Sequence, residues 1–583
     1  MTSKTNNPMP PMSPQAAPAY SSREAQAMAE VGRTTIRPAL ARLLTLIFLG
    51  AIWLTPLCQQ LVDIRGYLAG QRPTPLPQCY NIWRQLPGVG RALQGVPAWQ
   101  RISAANQQLM RTLRAYEDQL ENDSYIGRLM RRPTQYLLAR WLGAGNEKVY
   151  IGRWPWLFYR PEIEYLTGPG FLTAQHQAQR QTDGAPGQAP PQADPLRAIL
   201  HFREQLAQRG IALIVMPTPV KPSLQPEQFT RAYRHRRASL QNPSYAQFLA
   251  ELQRQGVLVC DVADALANQA GQPASYLALD THWRPEAMEL AAQELQLFIQ
   301  KHVPLPPAEP FASQTRELTV QQTGDLALML ALPPGQLTYQ PERVTVRQTL
   351  LPDGAYWQAD PTAAILVLGD SFCNIYALPS LGWGQAAGLV ERLSHKLQRP
   401  LDRITLNDNG AYATRAALSR ELARGHDRLA GKQLVIYQFT ARELTEGDWK
   451  MLELTLGQAA APGFIAPPPG VTWSARGLVG EITSVPLPGS VPYQDHVLCL
   501  HLVDIECPAA ATTNAQAVVY MQSMRDNIWT SAARLRPGDK ISLQLQAWAD
   551  VATLYEGLKR SELDEPELQL EEPCWGEAIK LEQ

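Results

Sequence analysis

The sequence predicts an α/β fold, a doubly wound and mostly parallel sheet, preceded by a transmembrane helix and helical stalk and followed by a small all-β domain. Three observations predict it. An apolar run follows a basic stretch near the N-terminus. From residue 196 to 440, short apolar runs alternate with amphipathic helical patterns, as in a parallel sheet covered on both faces. Beyond residue 460 the pattern changes to alternating strand-like segments separated by turns.

At roughly 150 residues per domain, 583 residues suggest two to four units. Lys and Arg total 53, as do Asp and Glu, so the chain is neutral. No long basic stripe offsets that balance, and no nucleic-acid partner is expected. The seven cysteines form no C-x-x-C pair, which leaves a zinc ribbon unsupported. Cys499, Cys507 and Cys574 share one predicted domain; disulfides and buried free thiols both remain open readings.

Residues 1–42 read as a Pro-, Ser- and Gln-rich disordered cytoplasmic tail. Arg33, Arg37 and Arg42 precede the apolar run Leu43 to Cys58. That run covers about 24 Å at 1.5 Å per residue. Starting at Pro38 and ending at Val62, with Arg42 snorkelling, the run is long enough to cross, and the anchor is assigned to 43–62. Basic residues ahead of it keep that side cytoplasmic, so the remainder faces the periplasm from a single-pass anchor in the inner membrane. A cleaved signal peptide and a buried core helix are the alternative readings.

A helical stalk is expected at 63–145, with one helix from Ile102 to Leu120 and another from Pro133 to Leu142. The α/β domain then occupies 146–458. Lys148 to Arg153 and Trp156 to Tyr159 read as short strands, and Ala174 to Asp194 as an enlarged loop. Helices are expected at 196–209, 245–255, 285–301 and 383–397. Strands are expected at 211–216, 257–262, 363–368, 403–406 and 434–439. Ala461 to Gly470 reads as a Pro/Gly linker inside a final β-barrel or sandwich domain at 459–583. In that domain, Trp473, Trp529, Trp548 and Trp575 suit core packing better than sugar stacking. The acidic stretch Ser561 to Glu572 is expected to pack loosely.

Two segments carry chemistry. In Gly369-Asp370-Ser371, an apolar strand ends at a glycine that permits a tight turn, and a serine follows. Ligands bind beyond the carboxyl ends of such strands, within reach of Ser371. Its backbone N–H can help hold an oxyanion; capping the next helix is the plain alternative. In Asp280-Thr281-His282-Trp283, an extended segment would put Asp280 and His282 on one side. A serine hydroxyl needs such a base, and the base needs a partner that fixes its tautomer. Trp283 can pack or stack on a sugar, packing being the favoured reading.

These segments, with Trp156-Leu-Phe-Tyr159, Tyr165-Leu-Thr-Gly168 and Met216-Pro-Thr-Pro-Val-Lys221, resemble the alginate O-acetyltransferase family of SGNH-hydrolase-like proteins. Asp280 and His282 precede Ser371, which is similar to the permuted order of that branch. The resemblance covers roughly residues 100 to 450. It implies acetyl transfer onto an exopolysaccharide hydroxyl through an acyl-Ser371 intermediate, with His282 as base and Asp280 behind it. It also implies a membrane-bound O-acyltransferase that supplies the acetyl group. No cofactor and no metal is called for. Gly369, Asn409, Gly410, Tyr412, Arg442 and Lys221 are candidates for oxyanion or substrate contacts. A polysaccharide deacetylase with the same residues and a non-catalytic glycan-binding scaffold are the alternative functions. The C-terminal domain departs from the family's carbohydrate-binding module, so alginate itself is not implied as the acceptor.

Overall fold

The computed structural model describes residues 37–68, single positions between 105 and 120, and 124–582. Within that last stretch, 183–190, 234–238, 269–273, 308–310, 408–409, 424, 458–462, 487–494, 511–513, 526–527, 556–557, 564–567 and 569–570 are excepted. The expected disordered tail, apart from 37–42, and most of the stalk lie outside the described residues. Residues 1–131 and 132–583 form two compact units, each described by itself.

In the first unit, helix α1 (Pro38–Leu68) begins at Pro38, where the extended run was read to start, runs six residues past Val62 and carries Pro56 inside it. Its stretch Pro38–Arg65 is long and apolar enough to cross a membrane, and Leu46, Phe48, Trp53 and Leu61 along it are exposed. At the expected stalk helix, the described positions Leu109, Leu113, Tyr116 and Leu120 are helical. Helix α2 (Tyr125–Leu142) starts eight residues before Pro133, where the sequence reading began it. The neighbouring turns carry the proline, whose missing N–H costs one bond without ending the helix.

The second unit takes in α2 from Arg132 on, and the antiparallel pair β1 (Val149–Ile151) and β2 (Leu157–Tyr159) follows. Helices α3 (Arg160–Thr167) and α4 (Ala174–Thr182) follow, so the first part of the expected loop is helical. Next come α5 (Pro195–Gln208), β3 (Ala212–Thr218), α6 (Tyr245–Arg254), β4 (Leu258–Val259) and α7 (Pro285–His302). Asp194 caps α5 by accepting the Arg197 N–H, with proline in the first turn. The strand expected at 257–262 shrinks to the two residues of β4 at the sheet edge.

A hairpin that the sequence reading missed follows: β5 (Gln314–Gln322) pairs with β6 (Glu342–Leu350) over nine residues, with the short helix α8 (Asp325–Met329) in its connection. Then come β7 (Ile365–Gly369), helix α9 (Ser371–Asn374), α10 (Leu389–Leu397), β8 (Asp402–Thr405), α11 (Ala413–Ala423) and β9 (Leu434–Thr440). Helix α10 begins six residues later than expected, because Trp383 to Gly388 forms an irregular loop.

The central sheet runs β4-β3-β9-β7-β8, every pair parallel. All residues of β7 and β9 are buried, and alternate residues serve opposite faces. Ile365, Val367 and Ile436 pack with Ala291 and Leu295 of α7 and Leu393 of α10. Leu366, Leu368 and Val435 pack with Phe202 of α5, Phe248 of α6 and Leu418 of α11. Each such aliphatic side chain contributes about 1.5–3 kcal/mol through burial. The two layers hold the carboxyl ends of β3, β7 and β9 side by side.

The C-terminal region is a closed barrel. It comprises β10 (Gly463–Phe464), β11 (Thr472–Ile482), β12 (His496–Glu506), β13 (Ala515–Arg525), β14 (Ile528–Trp529), β15 (Lys540–Ala547), helix α12 (Trp548–Tyr555), β16 (Lys559–Arg560) and β17 (Pro573–Glu582). The ring closes in the order β11-β12-β13-β17-β15-β11. Only β13–β17 is parallel in that ring, the Greek-key arrangement of an OB-type barrel. The expected linker already pairs with it, through β10 on β13. Leu563 and Leu568, in the stretch expected to pack loosely, are buried against the barrel's outer face. Trp575 is buried there, stacked on Tyr555 at 3.9 Å between ring centroids, so it packs. The six described cysteines, Cys499, Cys507 and Cys574 among them, are all free thiols.

Candidate active site

Ser371 stands at the first position of α9, directly beyond the carboxyl end of β7. The residue that caps this helix is Asp370, not the serine. Asp370 Oδ1 accepts the Phe372 N–H at 2.9 Å and Gln438 Nε2 at 2.9 Å. Its Oδ2 accepts the Thr440 N–H at 2.7 Å and the Thr440 hydroxyl at 2.6 Å. Gln438 Nε2 also donates to Thr218 Oγ1 at 2.8 Å, so the ends of β3, β7 and β9 are tied together around the serine. Gly369 is required for space rather than for a left-handed turn. A methyl group there would lie 2.4 Å from Cys373 Sγ and 3.1 Å from Gln438 Oε1.

The Asp280 segment reaches the serine from the loop before α7. It is bent, not extended as the sequence reading assumed: Asp280 Oδ1 accepts the His282 N–H at 3.0 Å, an Asx-type turn. The turn brings both side chains together. His282 Nδ1 lies 2.7 Å from Asp280 Oδ1, and Nε2 lies 2.8 Å from Ser371 Oγ. Asp280 Oδ2 accepts the Trp383 indole N–H at 3.0 Å and the Asp325 backbone N–H at 3.0 Å. Burial opposes the Asp280 charge, but the His282 contact and these N–H donors hold its carboxyl below the usual range. Burial likewise opposes a charged His282, yet the bond and charge of Asp280, then the charge of Asp325, raise the imidazole above its ordinary value. With Asp280 on Nδ1, the neutral ring keeps its proton there and offers the Nε2 lone pair to Ser371 Oγ.

A pocket open to solvent lies in front of Ser371. Of the residues singled out in the sequence, Gly369, Ser371, Gly410 and Arg442 line it. Arg442 is half-buried: its Nη1 pairs with Glu162 Oε1 at 3.2 Å, and Glu162 is fully buried. Burial pushes the Glu162 carboxyl up to about 7, opposed by the Arg442 charge. Gly410 has φ +67°, and a methyl group there would lie 2.8 Å from Glu443 Oε2.

Three expected contact residues are corrected or set aside. Lys221 is buried, and its ammonium donates to the carbonyls of Leu157, Ala278 and Asp280 at 2.6, 2.9 and 3.0 Å. Those bonds use all three of its protons, so it braces the Asp280 backbone instead of meeting a substrate. Burial pushes its pKa down to about 8. Tyr412 is outside the pocket lining, with the Lys450 ammonium 4.0 Å from its ring centroid. Asn409 lies outside the described residues. Trp283 is buried and meets Phe372 edge-on at 5.3 Å, a packing role as expected.

Sequence reasoning missed Trp383, Asp325, Gln438 and Asn407. Asn407 lines the pocket, and its side-chain oxygen accepts from Asn374 Nδ2 at 2.8 Å. It lies two residues before the asparagine singled out, in the same loop, so the spacing of Asn407-Asp-Asn409 was the available signal. Asp280, His282 and Asp325 offer ligand atoms within 4.8 Å of one another. The oxygens of Asp280 and Asp325 already accept the Thr281 N–H and hydroxyl, the Asp325 N–H and the Trp383 indole N–H.

Residues 149–441 match the family described as SGNH hydrolase-like domain, acetyltransferase AlgX. A probable alginate O-acetylase AlgJ of Pseudomonas syringae pv. tomato is 32% identical over 183 residues, 31% of this chain and 43% of that protein. The probable alginate O-acetylase AlgJ of Pseudomonas aeruginosa is 31% identical over 150 residues, 25% of this chain and 37% of that protein. The chain thus spans less than half the length of these two relatives. Among solved structures, the O-acetyltransferase domain of Pseudomonas putida AlgJ is 24% identical, with a TM-score of 0.39, covering 51% of this chain and 92% of that domain. The family match takes in half of the sequence, from β1 to the residue before Arg442, and the chain belongs to the SGNH hydrolase-like AlgX acetyltransferase family.

Proposed function

We propose that the protein is a serine-dependent O-acyltransferase that moves an acetyl group onto a hydroxyl of an exported polysaccharide. The observation that carries this reading is the unbroken chain Asp280 Oδ1, His282 Nδ1, His282 Nε2, Ser371 Oγ, with contacts of 2.7 and 2.8 Å at the mouth of a pocket. His282 takes the Ser371 proton as Oγ attacks the carbonyl carbon of the acyl donor. Asp280 stabilises the resulting imidazolium. Collapse of the tetrahedral intermediate expels the donor's leaving group, which takes the proton from His282. The sugar hydroxyl then gives its proton to His282 and attacks acetyl-Ser371, restoring the free serine.

The Ser371 backbone N–H and the Asn407 carboxamide are the proposed oxyanion donors. Arg442 is the proposed contact for an acyl oxygen or a sugar carboxylate. The long apolar helix α1 supports a single-pass membrane anchor; in this reading the anchor is in the inner membrane, the reactive domain is in the periplasm, and a membrane-bound O-acyltransferase supplies the acetyl groups. The relatives named as alginate O-acetylases support a polysaccharide acceptor.

The test is incubation of the protein with an activated acetyl ester, with and without oligosaccharide acceptors. Acetylated oligosaccharide, absent in Ser371→Ala, is the expected result. Acetate release at the same rate whatever the acceptor would replace transfer by hydrolysis. Unchanged glycan acetylation in cells that carry Ser371→Ala in place of the wild-type protein would leave a binding scaffold.

A further inference from the structure

We infer that Asp325 is a positioning residue of this site, a second carboxylate that acts on His282 through Thr281 and in parallel with Asp280. The inference rests on the acyl-serine reading above and adds a residue that the Asp280–His282–Ser371 chain does not contain.

Asp325 begins α8, in the connection of the β5–β6 hairpin, far from the Asp280 loop in sequence. The two segments meet because Gly324 has no side chain. A methyl group there would fall 2.1 Å from the Leu279 carbonyl oxygen and 2.7 Å from the Asp280 nitrogen. That close approach lets the Asp325 backbone N–H reach Asp280 Oδ2 at 3.0 Å. The Asp325 side chain grips the residue between the aspartate and the histidine. Its Oδ1 accepts the Thr281 N–H at 2.8 Å, and its Oδ2 accepts the Thr281 hydroxyl at 2.5 Å.

With its own proton committed to Asp325, the Thr281 hydroxyl offers a lone pair to His282 Nδ1, 3.1 Å away. The imidazole N–H therefore faces two arms. One is the direct contact with Asp280, and the other runs through Thr281 Oγ1 to Asp325 Oδ2. Asp325 Oδ2 also lies 3.8 Å from Nδ1, close enough for its charge to act on the ring directly.

Asp280 and Asp325 favour the imidazolium and Arg442 opposes it; the buried Glu162 carboxyl also interacts with His282, whose charge draws it down. Burial, then the Asp280 charge, pushes the Asp325 carboxyl up to about 6, with His282 and the Thr281 bonds opposing. Loss of the Asp325 charge removes support from the imidazolium. The imidazole then stays neutral, and competent as a base, to lower pH.

The test is the rate at which an aryl sulfonyl fluoride labels Ser371 in the full chain, followed from pH 4 to 9 in wild type, Asp325→Asn, Asp325→Glu and Thr281→Val. This readout needs neither acetyl donor nor acceptor. Asp325→Asn is expected to label more slowly on the plateau, with the acid limb moved down by at least about half a pH unit. Asp325→Glu should return the limb toward that of wild type. Thr281→Val, which cuts the bridge and keeps the charge, should slow labelling with a smaller displacement. A support confined to folding would lower the labelled fraction at every pH and leave the midpoint in place. A profile of folded Asp325→Asn that superimposes on wild type would overturn the inference. Should that variant not fold, wild-type rate and midpoint in Thr281→Val would do the same. Absence of any adduct on wild-type Ser371 would instead overturn the acyl-serine reading, and this inference with it.

Discussion

The α/β region and the C-terminal barrel spend their buried polar groups differently. Between residues 146 and 458, Glu162, Lys221, Asp280, His282, Asp402 and Arg415 are among many polar or charged residues taken out of water. In the barrel, His496 and Ser523 are the buried polar residues among those described. They bond to each other at 2.7 Å, and the rest of the interior is aliphatic. Burying a charge is costly unless it is paired and hydrogen-bonded. The barrel avoids that cost and gains stability from packing. The α/β region accepts it in several places, Asp402 with Arg428 and Lys432 among them, and near the ends of β3, β7 and β9 such groups hold one imidazole against one hydroxyl.

The difference can be broken or sharpened by substitution. Ser371→Ala should abolish acyl transfer, a loss on the order of 10⁴-fold or more, read in an acetyl-ester assay with the fold checked by circular dichroism. Asp280→Asn should come next, with a loss on the order of 10³- to 10⁴-fold, because the amide no longer favours the Nδ1–H tautomer or the imidazolium. Activity within tenfold of wild type would show that the buried carboxylate does not orient the base.

Trp383→Phe removes one donor from Asp280 Oδ2 and keeps most of the packing. It should cost about tenfold in kcat, in line with a charge-assisted hydrogen bond of about 1.5 kcal/mol. With His282 held above its ordinary pKa, activity should fall on the acid side around a midpoint above about 6.5. The base works only when neutral, so the loss grows as pH falls through that midpoint. Ser523→Ala in the barrel should act on stability alone. Leaving His496 short of one partner should cost about 1–3 kcal/mol in thermal or denaturant melts, with Ser371 acylation unchanged.

Legibility in the sequence followed the same division. The strands of the central sheet were readable because both faces are covered, so Ile365 to Leu368 and Leu434 to Phe439 appear as unbroken apolar runs. The hairpin β5–β6 was not, since the side chains of Gln314 to Gln322 are mostly exposed and leave no apolar period. Strand β17 was missed because Pro573-Cys-Trp-Gly-Glu577 lacks a clean alternation, although it completes the barrel between β13 and β15. At the site, Asp280, His282 and Ser371 stood out as residue types with a known chemical use. Trp383 and Asp325 did not, because an indole in an irregular loop and an aspartate after a glycine have many ordinary roles. Only tertiary contact brings them to Asp280. Lys221 misled for the opposite reason: a lysine after a strand suggests a substrate contact, whereas its burial turns it onto three carbonyls.

The most direct measurement is peptide mass spectrometry of the protein after brief exposure to an acetyl donor at neutral pH. The account predicts an acetyl group on the peptide containing Ser371 that vanishes when an oligosaccharide acceptor is added, and that never forms in His282→Ala. Acetylated glycan produced with Ser371 unmodified at every time point, and undiminished in His282→Ala, would contradict it.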